Sequence, residues 1–323
     1  MAEEKKENKK RLIVIDGNAV IHRAFHALPP LKTKKGELVN AVYGFLLVFF
    51  KAIKEFQPDF IAATFDFPAP TFRHQKYKPY KATREKAPEE LYQQIPKTKE
   101  VLKGFNVQIF EKQGFEADDL IGTISKGAAT PLFSPKRGGP EIETIILTGD
   151  LDALQLVNKN TKVYTLRKGV KDTVLYDREK VKEKYGGLEP EQLIDFKALR
   201  GDPSDNIPGV FGIGEKTAIT LIKEFDSLEN LYKDLEKNTQ KAKNLKESLR
   251  KKLLDYKDQA FVSKMLAEIK QDVPIDFNLE KCRWGYYNRD KVVKIFKDYD
   301  FKTLIDRLPG EKTISKNNNL SLF

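Results

Sequence analysis

The chain has 323 residues, of which 40% are hydrophobic and 33% charged, and its mean hydropathy is −0.53. These values are typical of a globular protein, and the length is sufficient for about two domains of about 150 residues each. The longest apolar run, 42–50, is far shorter than the roughly 20 residues of a membrane-spanning helix, and residues 1–11 are charged where a secretory signal is apolar. We therefore expect a cytoplasmic protein without a membrane partner.

Cysteine and histidine content restricts the kind of metal site. The one cysteine, Cys282, cannot form an internal disulfide, and three histidines are too few for a convincing Cys/His zinc site. Any bound metal is therefore expected on carboxylates. The net charge of +11 favours a polyanionic partner such as nucleic acid or an anionic lipid surface, although abundant solvated lysine and glutamate explain it equally well.

Three short apolar segments end at an aspartate. They cover 11–16, 60–66 and 143–150 and alternate with helix-like stretches such as 39–56 and 88–105. Strands that alternate with helices predict a parallel α/β sheet, whose ligands bind at the carboxyl ends of the strands. Asp16, Asp66 and Asp150 should therefore meet at one edge. Each alone could instead cap a helix or form an Asx turn, but three together favour a shared site.

Further acidic residues extend this pattern to nine carboxylates in five short segments. The others are Glu116, Asp118, Asp119, Asp152, Asp202 and Asp205. Acids at the start of a helix can simply compensate the helix dipole, but a cluster of like charges is costly unless cations neutralise it. Hard oxygen ligands suit Mg²⁺ or Mn²⁺, and two such ions are the known machinery of phosphodiester hydrolysis. Because no Walker-type phosphate loop occurs in the sequence, ATP hydrolysis of that kind is not supported.

Basic and aromatic residues alternate in segment 70–84, which follows Asp66. This composition suits phosphate neutralisation combined with base stacking on Tyr77 or Tyr80. A solvated basic loop is the alternative, and the position beside the acidic edge favours nucleic-acid binding.

A glycine-rich hairpin at 209–218 precedes an amphipathic stretch at 218–225. Backbone amides at such a helix start can hold a phosphate, and the pattern indicates a helix-hairpin-helix that grips duplex backbone without reading its sequence. Its candidate DNA-binding residues are Gly209, Gly212, Ile213, Gly214, Lys216 and Thr217. The lysine-rich stretch 233–257 either extends this surface or forms a solvated helix.

Taken in order, these motifs resemble the 5'-to-3' exonuclease domain of bacterial DNA polymerase I, within the flap endonuclease superfamily. The resemblance rests on Ile13 to Asn18, Phe65-Asp66, Phe72 to His74, Tyr80 to Arg84, Gly114 to Asp119, Thr148 to Asp152 and Gly201 to Gly214. It implies a PIN-like catalytic domain at 11–175 and an all-α helix-three-turn-helix domain at 176–308 that binds duplex DNA. Residues 1–10 form a charged tail, and residues 309–323 a polar one.

The resemblance also implies roles for individual residues. One metal subsite would comprise Asp16, Asp66, Glu116 and Asp118, and the other Asp119, Asp150, Asp152, Asp202 and Asp205. Lys81 and Arg84 would contact the scissile phosphate, Tyr80 would stack near it, and Arg73 would steer the 5' strand. Two or more Mg²⁺ ions, with Mn²⁺ as a substitute, and a monovalent cation at the hairpin are the implied cofactors.

We therefore expect a monomeric, nucleoid-associated 5' nuclease that acts on DNA flaps, nicks and duplex ends, including an RNA primer on DNA. A polymerase would work with it in cis or in trans, since the chain is either a free-standing nuclease or part of a longer polymerase. Two alternatives remain: a catalytically silent, structure-specific DNA-binding module and a PIN-type ribonuclease. The proline- and glycine-rich stretch 128–140 is longer than the family's usual link, and we interpret it as a surface loop.

Overall fold

One mixed β-sheet organises the first part of the chain. The computed structural model describes residues 9–129, 141–167, 169 and 172–310. Within them the strands are β1 (Lys10–Asp16), β2 (Phe60–Thr64), β3 (Gln108–Phe110), β4 (Ile142–Thr148), β5 (Thr161–Leu166) and β6 (Thr173–Tyr176). Their spatial order is β3-β2-β1-β4-β5-β6. The first five run parallel, as predicted, whereas β6 pairs antiparallel with β5. The link 167–172 is too short for a parallel crossover, which needs a dozen or so residues.

Helices cover both faces of this sheet. They are α1 (Gly17–Ala27), α2 (Asn40–Phe56), α3 (Phe72–Lys76), α4 (Glu89–Tyr92), α5 (Gln94–Gly104) and α6 (Ala117–Ala128). The predicted helix at 39–56 is confirmed as α2, whereas the predicted helix at 88–105 is divided between α4 and α5. The predicted loop at 128–140 lies outside the described residues from 130 onward.

The rest of the described chain is helical. It comprises α7 (Arg178–Lys184), α8 (Leu193–Arg200), α9 (Glu215–Phe225), α10 (Leu228–Glu236), α11 (Gln240–Lys243), α12 (Glu247–Asp255), α13 (Lys257–Ala267), α14 (Arg289–Asp298) and α15 (Lys302–Ile305). Short 3₁₀ helices lie at Asp152–Leu156, Pro190–Gln192 and Leu279–Cys282. The lysine-rich stretch 233–257 is therefore not one helix, because it runs from α10 through α11 and α12 into the start of α13. None of the described helices is long and apolar enough to cross a membrane.

Alternate residues of the strands face two separate cores. Leu12 and Val14 belong to a core that continues through α6 into the helical part at Phe196 and Leu221. Ile13 and Ile15 face the opposite core, which α2 and α5 share with α14 and α15. The chain therefore returns from the helical part to the sheet. The domain boundaries at 175 and 308 stay predictions, and the terminal tails lie outside the described residues at 1–8 and 311–323.

Parallel pairing also sets the position of the strand ends. β1 lies between β2 and β4, and Asp16 is in register with Thr64. Asp66 follows β2 and Asp150 follows β4 within two residues. The three aspartates therefore lie at the same edge of the sheet, as the sequence predicts.

Candidate active site at the carboxyl edge of the sheet

Asp16 connects the ends of two strands and also caps a helix. Its Oδ1 accepts a hydrogen bond from the Ala19 amide at 2.9 Å, which caps α1, and its Oδ2 accepts one from the Thr148 hydroxyl at 2.7 Å. Burial raises the pKa of Asp16 to about 7, and the charges of Asp66 and Asp150 act in the same direction. The Asp16 side chain therefore caps α1 and also belongs to the group of acids at the strand ends.

Asp66 and Asp118 lie where β2 meets the start of α6. The Asp66 amide donates to Asn18 Oδ1 at 3.0 Å, and Asp66 Oδ1 accepts from the Ala117 amide at 2.8 Å. Desolvation of the carboxylate raises the pKa of Asp66. Burial raises the pKa of Asp118 well above its usual value, with Asp16 and Asp150 adding to the effect. The start of α6 thus brings Asp118 into the field of the other strand-end acids.

Asp150 and Asp152 form a compact turn after β4. The Asp150 amide donates to Thr148 Oγ1, and Asp150 Oδ1 accepts from the Asp152 amide, both at 2.9 Å. Asp150 contributes to the raised pKa of Asp16 and of Asp118 as well as of Asp152. The resemblance places Asp150 in a different subsite from Asp16 and Asp118, whereas here its charge acts on both groups of acids.

Lys81 connects two acids that are distant in sequence. Its Nζ lies 3.0 Å from Glu116 Oε2 and 3.8 Å from Asp205 Oδ2, and its amide donates to the Asp205 carbonyl at 2.9 Å. Burial alone would lower the pKa of Lys81, but Glu116 and Asp205 raise it on balance. Arg84 forms a further ion pair with Asp205. The basic segment is thereby attached to the acidic loop at 202–206.

Lys197 is a site residue that the sequence analysis missed. It forms an ion pair with Asp152, and its Nζ lies 2.6 Å from Asp202 Oδ2. Burial opposes the charge on Lys197, but the two carboxylates outweigh this effect and raise its pKa. Its position in α8, five residues before Asp202, could have indicated this role, since a lysine near the C-terminal end of a helix can reach the loop that follows.

The structure corrects the predictions for Arg73 and Asp119. The Arg73 guanidinium donates to both Asp119 oxygens at 2.8 Å, and the two residues are 2% and 0% exposed. The Asp119 carboxylate also accepts from the amides of Glu116 and Lys270. Because its oxygens are occupied within the protein, Asp119 is not open to a metal ion, and Arg73 does not face an incoming strand.

Tyr80 also differs from its predicted role. It is only 3% exposed, and its hydroxyl donates to Glu116 at 3.1 Å or to Asp205 at 3.3 Å. Its ring packs against His74 and in a small core with Ile207 and Leu266. Tyr80 is therefore a buried link between carboxylates, not a platform for a base.

The carboxylates have two kinds of electrostatic environment, and the difference bears on which of them could bind metal ions. Glu116, Asp152, Asp202 and Asp205 each have a lysine or arginine partner. By contrast, no ion pair within the described residues reaches Asp16, Asp66, Asp118 or Asp150. In the described part of the chain, no three acidic, histidine or cysteine side chains already surround one point as metal ligands. The pKa values of Asp16, Asp66 and Asp118 are raised, and these three acids and Asp150 nevertheless have the oxygen donors that Mg²⁺ and Mn²⁺ require.

The predicted hairpin connects the acidic loop to α9. Gly209 and Gly212 have φ values of +62° and +73°, a backbone region that favours glycine. A Cβ on Gly209 would lie 2.2 Å from the Gly201 nitrogen, whereas one on Gly214 would have no heavy atom within 4 Å. Ile213 is buried and Lys216 is exposed in the first turn of α9, with Thr217 partly exposed beside it. The candidate residues therefore divide into Gly209 and Ile213, which shape the hairpin, and the more exposed Gly212, Gly214, Lys216 and Thr217.

Comparison with protein families matches most of the chain. Residues 11–186 match the 5'-3' exonuclease N-terminal resolvase-like domain, and residues 188–290 match the 5'-3' exonuclease C-terminal SAM fold. DNA polymerase I of Bacillus subtilis is 43% identical over 97% of this chain and 34% of its own length. DNA polymerase I of Mycobacterium tuberculosis is 39% identical over 93% of this chain and 32% of its own. The chain thus spans about a third of the length of these curated relatives.

Solved structures show the same fold. The T5 D15 protein co-crystallised with metal ions has a TM-score of 0.64 and 18% identity, and the match covers 90% of this chain and 99% of that one. The catalytic core of Rad2 in complex with DNA has a TM-score of 0.55 and 21% identity, covering 93% of each chain. The predicted class, a PIN-like α/β domain followed by a helical domain, is confirmed.

Proposed function

The chain belongs to the 5'-3' exonuclease family, and we propose that it is a structure-specific nuclease that cleaves DNA at 5' flaps, nicks and duplex ends with two or more Mg²⁺ ions. Membership makes it a nuclease; the substrate and the metal are the proposal. The observation that carries it is the group of four carboxylates at the carboxyl edge of the sheet, which no ion pair within the described residues reaches.

Asp16, Asp66, Asp118 and Asp150 would hold the ions, and Mn²⁺ would substitute for Mg²⁺. Bound divalent cations activate water at neutral pH and stabilise charge on the leaving oxygen. The carboxylates act as ligands in this proposal, and burial is the main cause of the raised pKa values of Asp16, Asp66 and Asp118. Glu116, Asp152, Asp202 and Asp205 keep the surrounding lysines and arginine in place.

Lys81 and Arg84 would bind the phosphate that is cleaved. Lys81 has a φ of +56°, a backbone conformation that costs a non-glycine residue about 1–2 kcal/mol. The bond from its amide to the Asp205 carbonyl holds this conformation. Strained backbone of this kind is typical of functional sites. An incoming phosphate would replace Glu116 and Asp205 as the partner of the Lys81 and Arg84 side chains. These side chains would then stabilise charge on the phosphate oxygens.

The likeness to DNA polymerase I supports a biological setting. Removal of RNA primers and repair of damaged strands both create a displaced 5' end next to duplex DNA. A nuclease that recognises this junction would act beside a polymerase, either on the same chain or as a separate protein. We include a cytoplasmic, nucleoid-associated location and a monomeric state in the proposal.

Cleavage of a labelled 5'-flap duplex by the purified chain tests the proposal. We expect cutting at the junction with Mg²⁺ and none with EDTA. Asp66→Ala and Asp150→Ala should abolish cutting and leave flap binding largely intact, because no ion pair within the described residues reaches either carboxylate. Asp276→Ala is the matched control, since Asp276 forms an ion pair with Lys281 at an exposed position.

Two results would contradict the proposal. Tight flap binding without cutting in Mg²⁺ or Mn²⁺ would indicate a silent recognition module. Preferential cutting of a matched RNA flap over its DNA counterpart would instead favour a ribonuclease. The hairpin domain argues against the second alternative, because it suits duplex backbone binding.

A further inference from the structure

The tip of the hairpin carries the most exposed large apolar side chain in the described part of the protein. Phe211 is 71% exposed, whereas its neighbours Val210 and Ile213 are 2% and 4% exposed. A single exposed apolar residue is common and needs no special explanation. The surroundings of Phe211 are what distinguish it.

The backbone directly before Phe211 is firmly held. The Val210 amide donates to the Leu199 carbonyl at 2.8 Å, and the Gly209 amide donates to the Ser263 hydroxyl at 3.0 Å. Gln259 donates to the Gly209 carbonyl at 2.6 Å. Phe211 is therefore presented from a fixed backbone, so little backbone entropy would be lost if a partner covered it.

A basic and aromatic surface surrounds the exposed ring. The Tyr256 ring lies 6.2 Å from that of Phe211, centroid to centroid. A Cβ on Gly212 would lie 2.6 Å from Lys252 Nζ, which places this ammonium group directly over the hairpin. Lys252 has no ion pair within the described residues. An apolar ring beside an unpaired ammonium group matches a sugar-phosphate backbone, which alternates apolar sugar faces with negative phosphates.

We propose that Phe211 packs against the sugars of the bound DNA duplex while Lys252 binds an adjacent phosphate, so that the hairpin tip holds the duplex by an apolar contact as well as by charge. This inference rests on the proposed function, because it assumes that the hairpin faces duplex DNA. Apolar side chains contact duplex DNA in other proteins as well, where they insert between base steps from the minor groove. Phe211 is a positioning residue here, with no part in the chemical step.

Replacement of Phe211 and replacement of Lys252 should affect the salt dependence of DNA binding differently. Counterion release makes binding through charge fall as salt rises, with a slope of log K against log salt that scales with the number of phosphate contacts. Phe211→Ala should therefore weaken binding about tenfold, or about 1.4 kcal/mol, without changing the slope. Lys252→Met should reduce the slope by about 1.

Fluorescence anisotropy of a fluorescein-labelled 5'-flap duplex, measured in EDTA over a series of KCl concentrations, tests the inference. Phe211→Leu should keep most of the affinity and Phe211→Gln should lose it, which separates apolar contact from folding if the alanine variant proves unstable. Leu254→Ala is the matched control, because Leu254 is 46% exposed but lies two residues beyond Lys252 on α12 and therefore faces away from the hairpin. Single-stranded DNA of the same sequence should bind all variants equally.

The outcomes also separate the two proposals. Failure of the wild-type chain to bind or cleave the flap would refute the proposed function. If the wild type binds and cleaves, but Phe211→Ala and Phe211→Gln bind the duplex within about twofold of it, the inference is wrong. An equal loss on single-stranded DNA would likewise exclude a duplex contact.

Discussion

Replacing Arg73 by methionine should destabilise the fold, not weaken DNA binding directly. The guanidinium makes two bonds to Asp119 and two more to the carbonyls of Leu266 and Glu268, at 2.9 and 2.6 Å. After the change, the Asp119 carboxylate keeps only two backbone amides as donors and remains buried. Breaking a buried ion pair on one side costs about 3–5 kcal/mol. At about 2–4 °C for each kcal/mol, the melting temperature should fall by about 10 °C.

Thermal and urea unfolding of the whole chain measure this effect. Arg178→Met is the matched control, because Arg178 makes a comparable two-bond contact with Glu191 at the surface, where such a pair contributes at most about 1 kcal/mol. A double-mutant cycle with Asp119→Asn should give a coupling energy above about 2 kcal/mol. A variant that melts like the wild type but no longer binds the flap would refute this reasoning and restore the predicted contact between Arg73 and the 5' strand.

Three further perturbations test other parts of the structure. Burial raises the pKa of Asp16 to about 7 and of Asp152 to about 6, from a usual value of 3.8. The folded protein then keeps protons that the unfolded chain has released, so the stability of EDTA-treated protein should fall as pH rises from about 4 to about 7. Gly209→Ala should lower the free energy of unfolding by at least about 2 kcal/mol, because the backbone is left-handed there and the new Cβ would overlap Gly201. Gly214→Ala should change the free energy of unfolding little. Joint neutralisation of three exposed lysines should flatten the salt dependence of duplex binding if they contact phosphates: Lys243, Lys246 and Lys251.

Each of these tests has its own contrary result. For the titration, Asp16→Asn should reduce the fall in melting temperature between these pH values. Mg²⁺ added at pH 8 should raise the melting temperature of the wild type. A fall in Asp16→Asn identical to that of the wild type would exclude Asp16 as its source. Equal melting temperatures for Gly209→Ala and Gly214→Ala would contradict the steric argument. An unchanged salt slope would assign the three lysines to a solvated surface.

The positions of the strand-end acids could be predicted because local sequence determines them. Apolar runs that stop at Asp16, Asp66 and Asp150 define strands, and parallel pairing brings their ends together. Partners across the fold could not be predicted in this way. Arg73 meets Asp119 across 46 residues and Lys197 meets Asp152 across 45, and no periodic pattern links such positions. The burial of Tyr80 likewise depends on Ile207 and Leu266, which come from the helical domain.

The loop between the acids and the hairpin is short and closed on itself. Only residues 206–208 separate Asp205 from Gly209, and the backbones of Asp202 and Ile207 bond to each other in both directions at 2.9 Å. If Gly209 and Phe211 hold the duplex, its distance from the acidic loop at 202–206 is then set by the covalent chain. The loop would then fix the distance, in nucleotides, between the end of the duplex and the cut. The position of the cut would be independent of base sequence, and lengthening the loop by a few residues would move the cut along the strand.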